Sequence, residues 1–223
     1  MLAPLSQGRG VRIGAVGRTG SGKSFALREV VRLAAPAIDA VFVVDDGEDA
    51  ADWNGGDCQL RADLADCRER PLVAGRDGGS RVVVLEGNVF ARRSQDAEPL
   101  ATQAWGLAAR GFKVALVWDE FKKALGGPQR WADPRGDVPR TFSDGRKPGI
   151  SAFWGTQFPQ EPPREAFGQS DLLLFALDAR EVEYLRQRRV VDDRQAEAIV
   201  RLQNGEFVAR LLGAPWNGTV YRF

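Results

Sequence analysis

The run Gly17-Arg18-Thr19-Gly20-Ser21-Gly22-Lys23-Ser24 constrains this chain more than any other stretch. Its spacing is G-x-x-x-x-G-K-[ST], that of a phosphate-binding loop, or P-loop. Glycines let such a loop curl until successive backbone N–H groups face one concavity, and the helix that comes after it adds the positive end of its dipole. The flanks have the required order. Val11, Ile13, Ala15 and Val16 read as a short buried strand, and Phe25, Ala26, Leu27, Val30, Val31 and Leu33 read as the apolar face of a helix. In such a loop Lys23 reaches the β- and γ-phosphates of a nucleotide, and the Ser24 hydroxyl ligates Mg²⁺. The nucleotide-contacting set runs from Gly17 to Phe25. The competing reading, a glycine-rich turn with an incidental lysine, leaves the strand–loop–helix order without a reason.

The chain has 223 residues, enough for one large domain or two small ones and for a sizeable core. A net charge of +1 excludes a wholesale basic coat, so contact with nucleic acid must come from local patches or from an assembly that concentrates them. With no histidine, histidine acid/base catalysis and histidine–metal sites are excluded. Cys58 and Cys67 lack the close pairs of a zinc site. A reducing, cytoplasmic setting is the simplest reading, with a disulfide between them as the alternative. Residues 1–10 carry no signal-peptide core and read as a flexible arm, with one domain over 11–223. Apolar runs such as Leu172 to Leu177 are too short to cross a bilayer, so no direct membrane insertion is expected.

Further strands are expected at Ala40 to Val44, Arg81 to Leu85, Lys113 to Trp118, Ile150 to Gly155 and Asp171 to Leu177. Helices are expected at Glu98 to Arg110, Glu181 to Arg188 and Asp193 to Gln203, with a short one near Pro139 to Ser143 inside a long loop. Residues 45–80 read as irregular, and Glu206 to Leu212 with Thr219 to Phe223 as an antiparallel hairpin. Alternating strands and helices, with each strand nearly continuous in apolar residues, predict an α/β fold: a mainly parallel central sheet flanked by helices.

The strand ending at Trp118 is closed by Asp119-Glu120. An apolar strand ending in Asp-Glu downstream of a P-loop is the Walker B pattern, and in open α/β sheets ligands sit at the carboxyl ends of strands. Asp119 then holds Mg²⁺, and Glu120 orients and deprotonates the attacking water. The plainer reading is an acidic helix N-terminus favoured by the macrodipole. Gln157, at the tip of the next strand, can bond the attacking water or the γ-phosphate, or merely satisfy a strand-end backbone group. A glutamate directly after Asp119 and a polar residue on the next strand point to the additional-strand class of P-loop NTPases. No Asn-Lys-x-Asp motif for reading guanine is present.

Gly145-Arg146-Lys147-Pro148-Gly149-Ile150, with Phe153-Trp154-Gly155-Thr156-Gln157-Phe158-Pro159 after it, resembles the signature of the FtsK/HerA superfamily of DNA-pumping ATPases. The closing Asn204-Gly205-Glu206-Phe207-Val208 is similar to the Gly-Glu strand that ends many of those domains. Within that group a bare motor of this length resembles the genome-packaging ATPases of membrane-containing icosahedral viruses. The resemblance implies ATP and Mg²⁺ as ligands, a homo-oligomeric ring (hexamer or pentamer) around double-stranded DNA, and capsid or packaging-vertex proteins as partners. It implies a place in the host cytoplasm or at a virion vertex. A Zot-like phage extrusion ATPase and a cellular or plasmid translocase of the same superfamily are the alternatives. A neighbouring subunit is expected to supply a catalytic arginine, Arg146 first and Arg140 second, each also readable as a surface salt bridge. Arg92-Arg93 and Lys122-Lys123 are the candidate DNA contacts, or else solvated loop charges.

Overall fold

In the computed structural model, which describes residues 9–34, 37–44, 58–61, 81–85, 93–121 and 136–223, the apolar stretches become one nine-stranded sheet. Strands β1 (Arg12–Gly17), β2 (Ala40–Val44), β3 (Cys58–Arg61), β4 (Arg81–Leu85), β5 (Val114–Trp118), β6 (Ile150–Thr156) and β7 (Leu172–Ala176) pair in parallel. Strands β8 (Glu206–Leu211) and β9 (Val220–Arg222) add an antiparallel hairpin at the β7 edge. The order is β3-β4-β2-β5-β6-β1-β7-β8-β9, so β6 lies between the strand that ends in Asp119-Glu120 and the strand that feeds the P-loop. The α/β expectation and the terminal hairpin are observed.

The helices are α1 (Lys23–Ala34), α2 (Arg93–Ala109), α3 (Asp137–Ser143), α4 (Arg164–Gln169), α5 (Ala179–Gln187) and α6 (Asp193–Val200). Two expectations are corrected. Within 45–80, β3 is a strand: its four residues carry no apolar run to betray it, and it is held by backbone pairing to β4. Helix α2 begins at Arg93, five residues before Glu98, through a polar stretch without helical periodicity.

Side-chain alternation divides the core between the two faces of the sheet. Ile13, Ala15, Val41, Val43, Ala115, Val117 and Phe153 pack against Leu27, Val30 and Val31 of α1. On the other face Val16, Phe42, Leu116, Trp118, Trp154 and Phe175 meet the remaining described helices. That second face holds an aromatic cluster in which Phe121 stands edge-on to both Phe142 and Trp154, and Trp154 edge-on to Phe167. Gly14 of β1 makes room for it, since a Cβ there would lie 2.3 Å from the Trp154 ring. Trp154 Nε1 donates to Ser170 Oγ at 3.1 Å, so the buried indole N–H is satisfied.

Local capping explains the helix starts. Gly136 offers no side chain to α3, and the Glu98 carboxylate of α2 accepts from the Asp137 and Val138 N–H groups instead. Asp178 caps α5, and Asp192 with Gln195 forms a capping box on α6.

Candidate nucleotide site

Parallel pairing brings the carboxyl ends of β5, β6 and β1 side by side. Trp118 is level with Trp154, and Val16 with Thr156. The segments that leave these three ends therefore converge: Asp119-Glu120 after β5, Gln157 after β6, the P-loop after β1. The loop takes left-handed backbone at Gly20 (φ 75°) and Gly22 (φ 86°), a conformation that disfavours any Cβ. Gly17 is needed for closeness, because a Cβ there would sit 2.5 Å from Ser21 Oγ.

Lys23 opens α1 and is only 7% exposed. Its ammonium donates to the Asp119 carbonyl oxygen at 3.3 Å and lies 3.6 Å from Glu120 Oε2. Ser24 Oγ donates to Asp119 Oδ2 at 2.9 Å. The Gln157 N–H donates to Glu120 Oε1 at 3.3 Å, and Thr19 Oγ1 donates to the Gln157 side-chain oxygen at 3.0 Å. Sequence positions 19, 23, 24, 119, 120 and 157 thus form one bonded constellation. Burial lifts the Glu120 carboxyl above its usual 4.5, an effect that Lys23 and the Gln157 N–H partly oppose.

Hard oxygen donors suit Mg²⁺, and here the Ser24 hydroxyl and the Asp119 carboxylate already touch. The buried Ser21 Oγ also has no hydrogen-bond partner, so the concavity has donors to spend on an anion. The donor set therefore fits a Mg²⁺–nucleotide pair.

Two contributions are not legible in the sequence. A Cβ on Gly155 would fall 2.4 Å from the Asp119 carbonyl oxygen, so the glycine is what lets β5 present that oxygen to Lys23. The turn after α6 braces the P-loop: the Gly205 N–H donates to Ser21 O at 3.0 Å, Arg18 to Asn204 Oδ1 at 3.2 Å, and the Phe223 N–H back to Gly205 O at 3.2 Å. Asn-Gly is readable as a helix stop, but its contact with residues 18 and 21 spans the whole chain. Phe25 is half exposed beside the loop.

Arg146 stands elsewhere. It lies in the turn before β6, where its backbone oxygen accepts from Gly10, and its guanidinium pairs with Asp171 at 3.1 Å. That is the amino end of the parallel strands, roughly 17–20 Å, one strand length, from its own P-loop. Arg140 is taken up by the Trp105 ring at 3.9 Å and by Asp137 at 3.5 Å. Arg93 is the first residue of α2, while Arg92, Lys122 and Lys123 lie outside the described residues.

No family model matches the chain, and curated proteins offer no match in sequence. Solved structures do match. The genome packaging NTPase B204 from Sulfolobus turreted icosahedral virus 2, in complex with ATP-gammaS, superposes with a TM-score of 0.66 over 95% of each chain at 16% identity. VirB4 of Thermoanaerobacter pseudethanolicus gives 0.63 over 95% of this chain and 88% of that one, at 11% identity. EssC from Geobacillus thermodenitrificans gives 0.55 over 90% of this chain and 37% of that one, at 13% identity. The chain shares the fold of these solved structures, a mostly parallel α/β sheet of the P-loop NTPase kind. Within that P-loop fold, no described helix is long and apolar enough to cross a membrane.

Proposed function

We propose that this chain is an ATP-hydrolysing motor that moves double-stranded DNA into a viral capsid, working as a homo-oligomeric ring. The observation that carries the reading is the convergence of Lys23, Ser24, Asp119, Glu120 and Gln157 at three adjacent strand ends. A match over nearly the full length of both chains to a packaging NTPase supports the choice of cargo. Likeness to VirB4 of a bacterium, over 95% of this chain and 88% of that one, keeps a cellular or plasmid translocase as the second reading.

The chemistry comes from the geometry. A triphosphate carries more negative charge than Glu120, so it draws the Lys23 ammonium, now shared between Glu120 and the Asp119 carbonyl, onto its β- and γ-oxygens. That releases the Glu120 carboxylate to accept a hydrogen bond from water. As the water oxygen bonds to the γ-phosphorus and the β–γ bridging bond breaks, the water's proton passes to Glu120. A carboxyl raised by burial is a better proton acceptor than an exposed one. Gln157, already bonded through its backbone N–H to Glu120 and through its side chain to Thr19, is held where it senses the γ-phosphate. Ser24 and Asp119 would hold Mg²⁺, which would supply positive charge to screen the phosphates. Arg146 acts on a neighbouring subunit's γ-phosphate, which accounts for its distance from its own loop.

The test is steady-state ATP hydrolysis with and without duplex DNA, for the natural chain and Glu120→Gln. Duplex should stimulate the natural chain, and the variant should bind ATP yet turn over about 10²–10⁴-fold more slowly. A variant with normal turnover removes Glu120 as the base. Turnover indifferent to duplex removes DNA as the cargo.

A further inference from the structure

A cleft of about 490 Å³ opens between the α5–α6 joint and the β8–β9 turn, lined by Arg186, Arg189, Asp192, Asp193, Arg210 and Trp216 among others. Its acids are already engaged. Asp192 caps α6 through the Gln195 N–H, and Asp193 pairs with Arg186 at 2.7 Å, where Glu183 also reaches the same guanidinium at 3.1 Å. That leaves two cations. Arg189 and Arg210 have no carboxylate partner among the described residues. Arg210 is half-buried on β8, and desolvation with no compensating charge pushes its guanidinium below its ordinary value. Arg189 is the one described non-glycine residue with positive φ, 57°, at the end of α5, where glycine is the usual occupant. A half-desolvated cation without a counter-charge is incomplete by itself, and a strained backbone that carries an arginine in place of the easier glycine has the same bias.

We propose that this cleft binds a phosphodiester of the DNA backbone, so that Arg189 and Arg210 are DNA contacts; this rests on the DNA-motor reading above. Guanidinium forks match phosphate oxygens in pairs, and Trp216 supplies an apolar wall for the sugar. The site is separate from the nucleotide. Arg210 lies opposite Leu173, near the amino end of β7, whereas the P-loop is at the carboxyl end. A subunit of net charge +1 needs such local, unneutralised cations to hold a polyanion, and a ring repeats them around its axis.

The experiment measures binding of a fluorescein-labelled duplex by anisotropy across a salt series, for the natural chain, Arg189→Gly, Arg210→Gln, their double variant and Arg210→Lys. Arg189→Gly removes charge while relieving the left-handed backbone, so it folds at least as well as the natural chain, and ATP binding serves as a second check on folding. The double variant should bind duplex at least about tenfold more weakly, with the slope of log K against log salt reduced by about one unit per arginine removed, while Arg210→Lys retains most affinity. Natural affinity and slope in the double variant overturn the inference and leave the motor reading standing. A natural chain that does not bind duplex at all overturns that reading, and this inference with it. Displacement of the duplex by hexaglutamate at equal charge, lost in the double variant, overturns the inference in favour of an acidic protein partner.

Discussion

Glu120 is under two opposed demands. As the proposed base it must be ionised to take a proton from water, yet it is only 7% exposed, and burial favours its neutral form. The direction of the pH dependence is set by that conflict. A carboxyl raised above its unfolded value binds its proton more tightly in the folded protein, so the folded state loses stability as pH rises through the raised value. Glu120→Gln should therefore raise the melting temperature at pH 7, with the gain vanishing below pH about 4, where the unfolded carboxyl is also protonated. The acid limb of the hydrolysis rate should lie above 4.5 for the same reason. A limb at or below that value would show that Lys23 and the Gln157 N–H outweigh the burial.

At the scale of elements, β6 does most to make the site, because it holds β5 and β1 at the spacing that joins the acids to the P-loop. Its glycine sets how close β5 can come. Gly155→Ala puts a methyl against the Asp119 carbonyl oxygen, a backbone atom that cannot swing away. The expected result is a loss of about 1–3 kcal/mol in denaturant unfolding together with loss of hydrolysis, while the far end of the sheet keeps its structure. The sequence makes this element visible and hides its importance. Ser-Ala-Phe-Trp-Gly reads as a strand ending in a polar amide, but that residue 155 abuts residue 119 depends on strand order. In the same way β3 is invisible, since Cys58–Arg61 owes its place to backbone pairing with β4 and no apolar pattern announces it. Helix α2 starts at Arg93, through residues whose own periodicity is silent.

Over the whole molecule, the two ends of the parallel strands carry separate side-chain clusters. The carboxyl ends hold the candidate nucleotide constellation. At the amino ends Arg12, 3% exposed, shares a cluster with Arg146, Asp144 and Asp171. Burial, and then repulsion from Arg146, lowers the Arg12 guanidinium to about 10. The folded state thus sheds this proton more readily than the unfolded one, and the cost of holding the charge is present at neutral pH, easing only as pH rises past 10. Arg12→Met should raise the melting temperature, by about 2–4 °C per kcal/mol recovered in a chain of this size, as read by calorimetry. The proposed ring can be tested by mixing. Lys23→Ala and Arg146→Ala chains should each be inactive. Combined, they should recover hydrolysis, because one lends its intact Arg146 to the intact P-loop of the other. A mixture as inactive as its parts, in assemblies shown by native mass measurement to contain both chains, removes Arg146 as the arginine supplied in trans.

The sequence by itself determined the alternation of strands and helices, the phosphate loop and the acidic strand end, because each is a local pattern: apolar runs at period two or 3.6, glycines where the chain must curl, charges where a strand stops. Only the tertiary structure decided that β6 stands between β5 and β1, that Gly205 and Asn204 brace residues 21 and 18, and that Arg146 faces away from its own P-loop. It also decided that Arg210, half-buried in its cleft, pairs with no carboxylate among the described residues. These are relations between residues tens to hundreds of positions apart, settled by which strands pair and which faces pack, and no local window of the chain contains them.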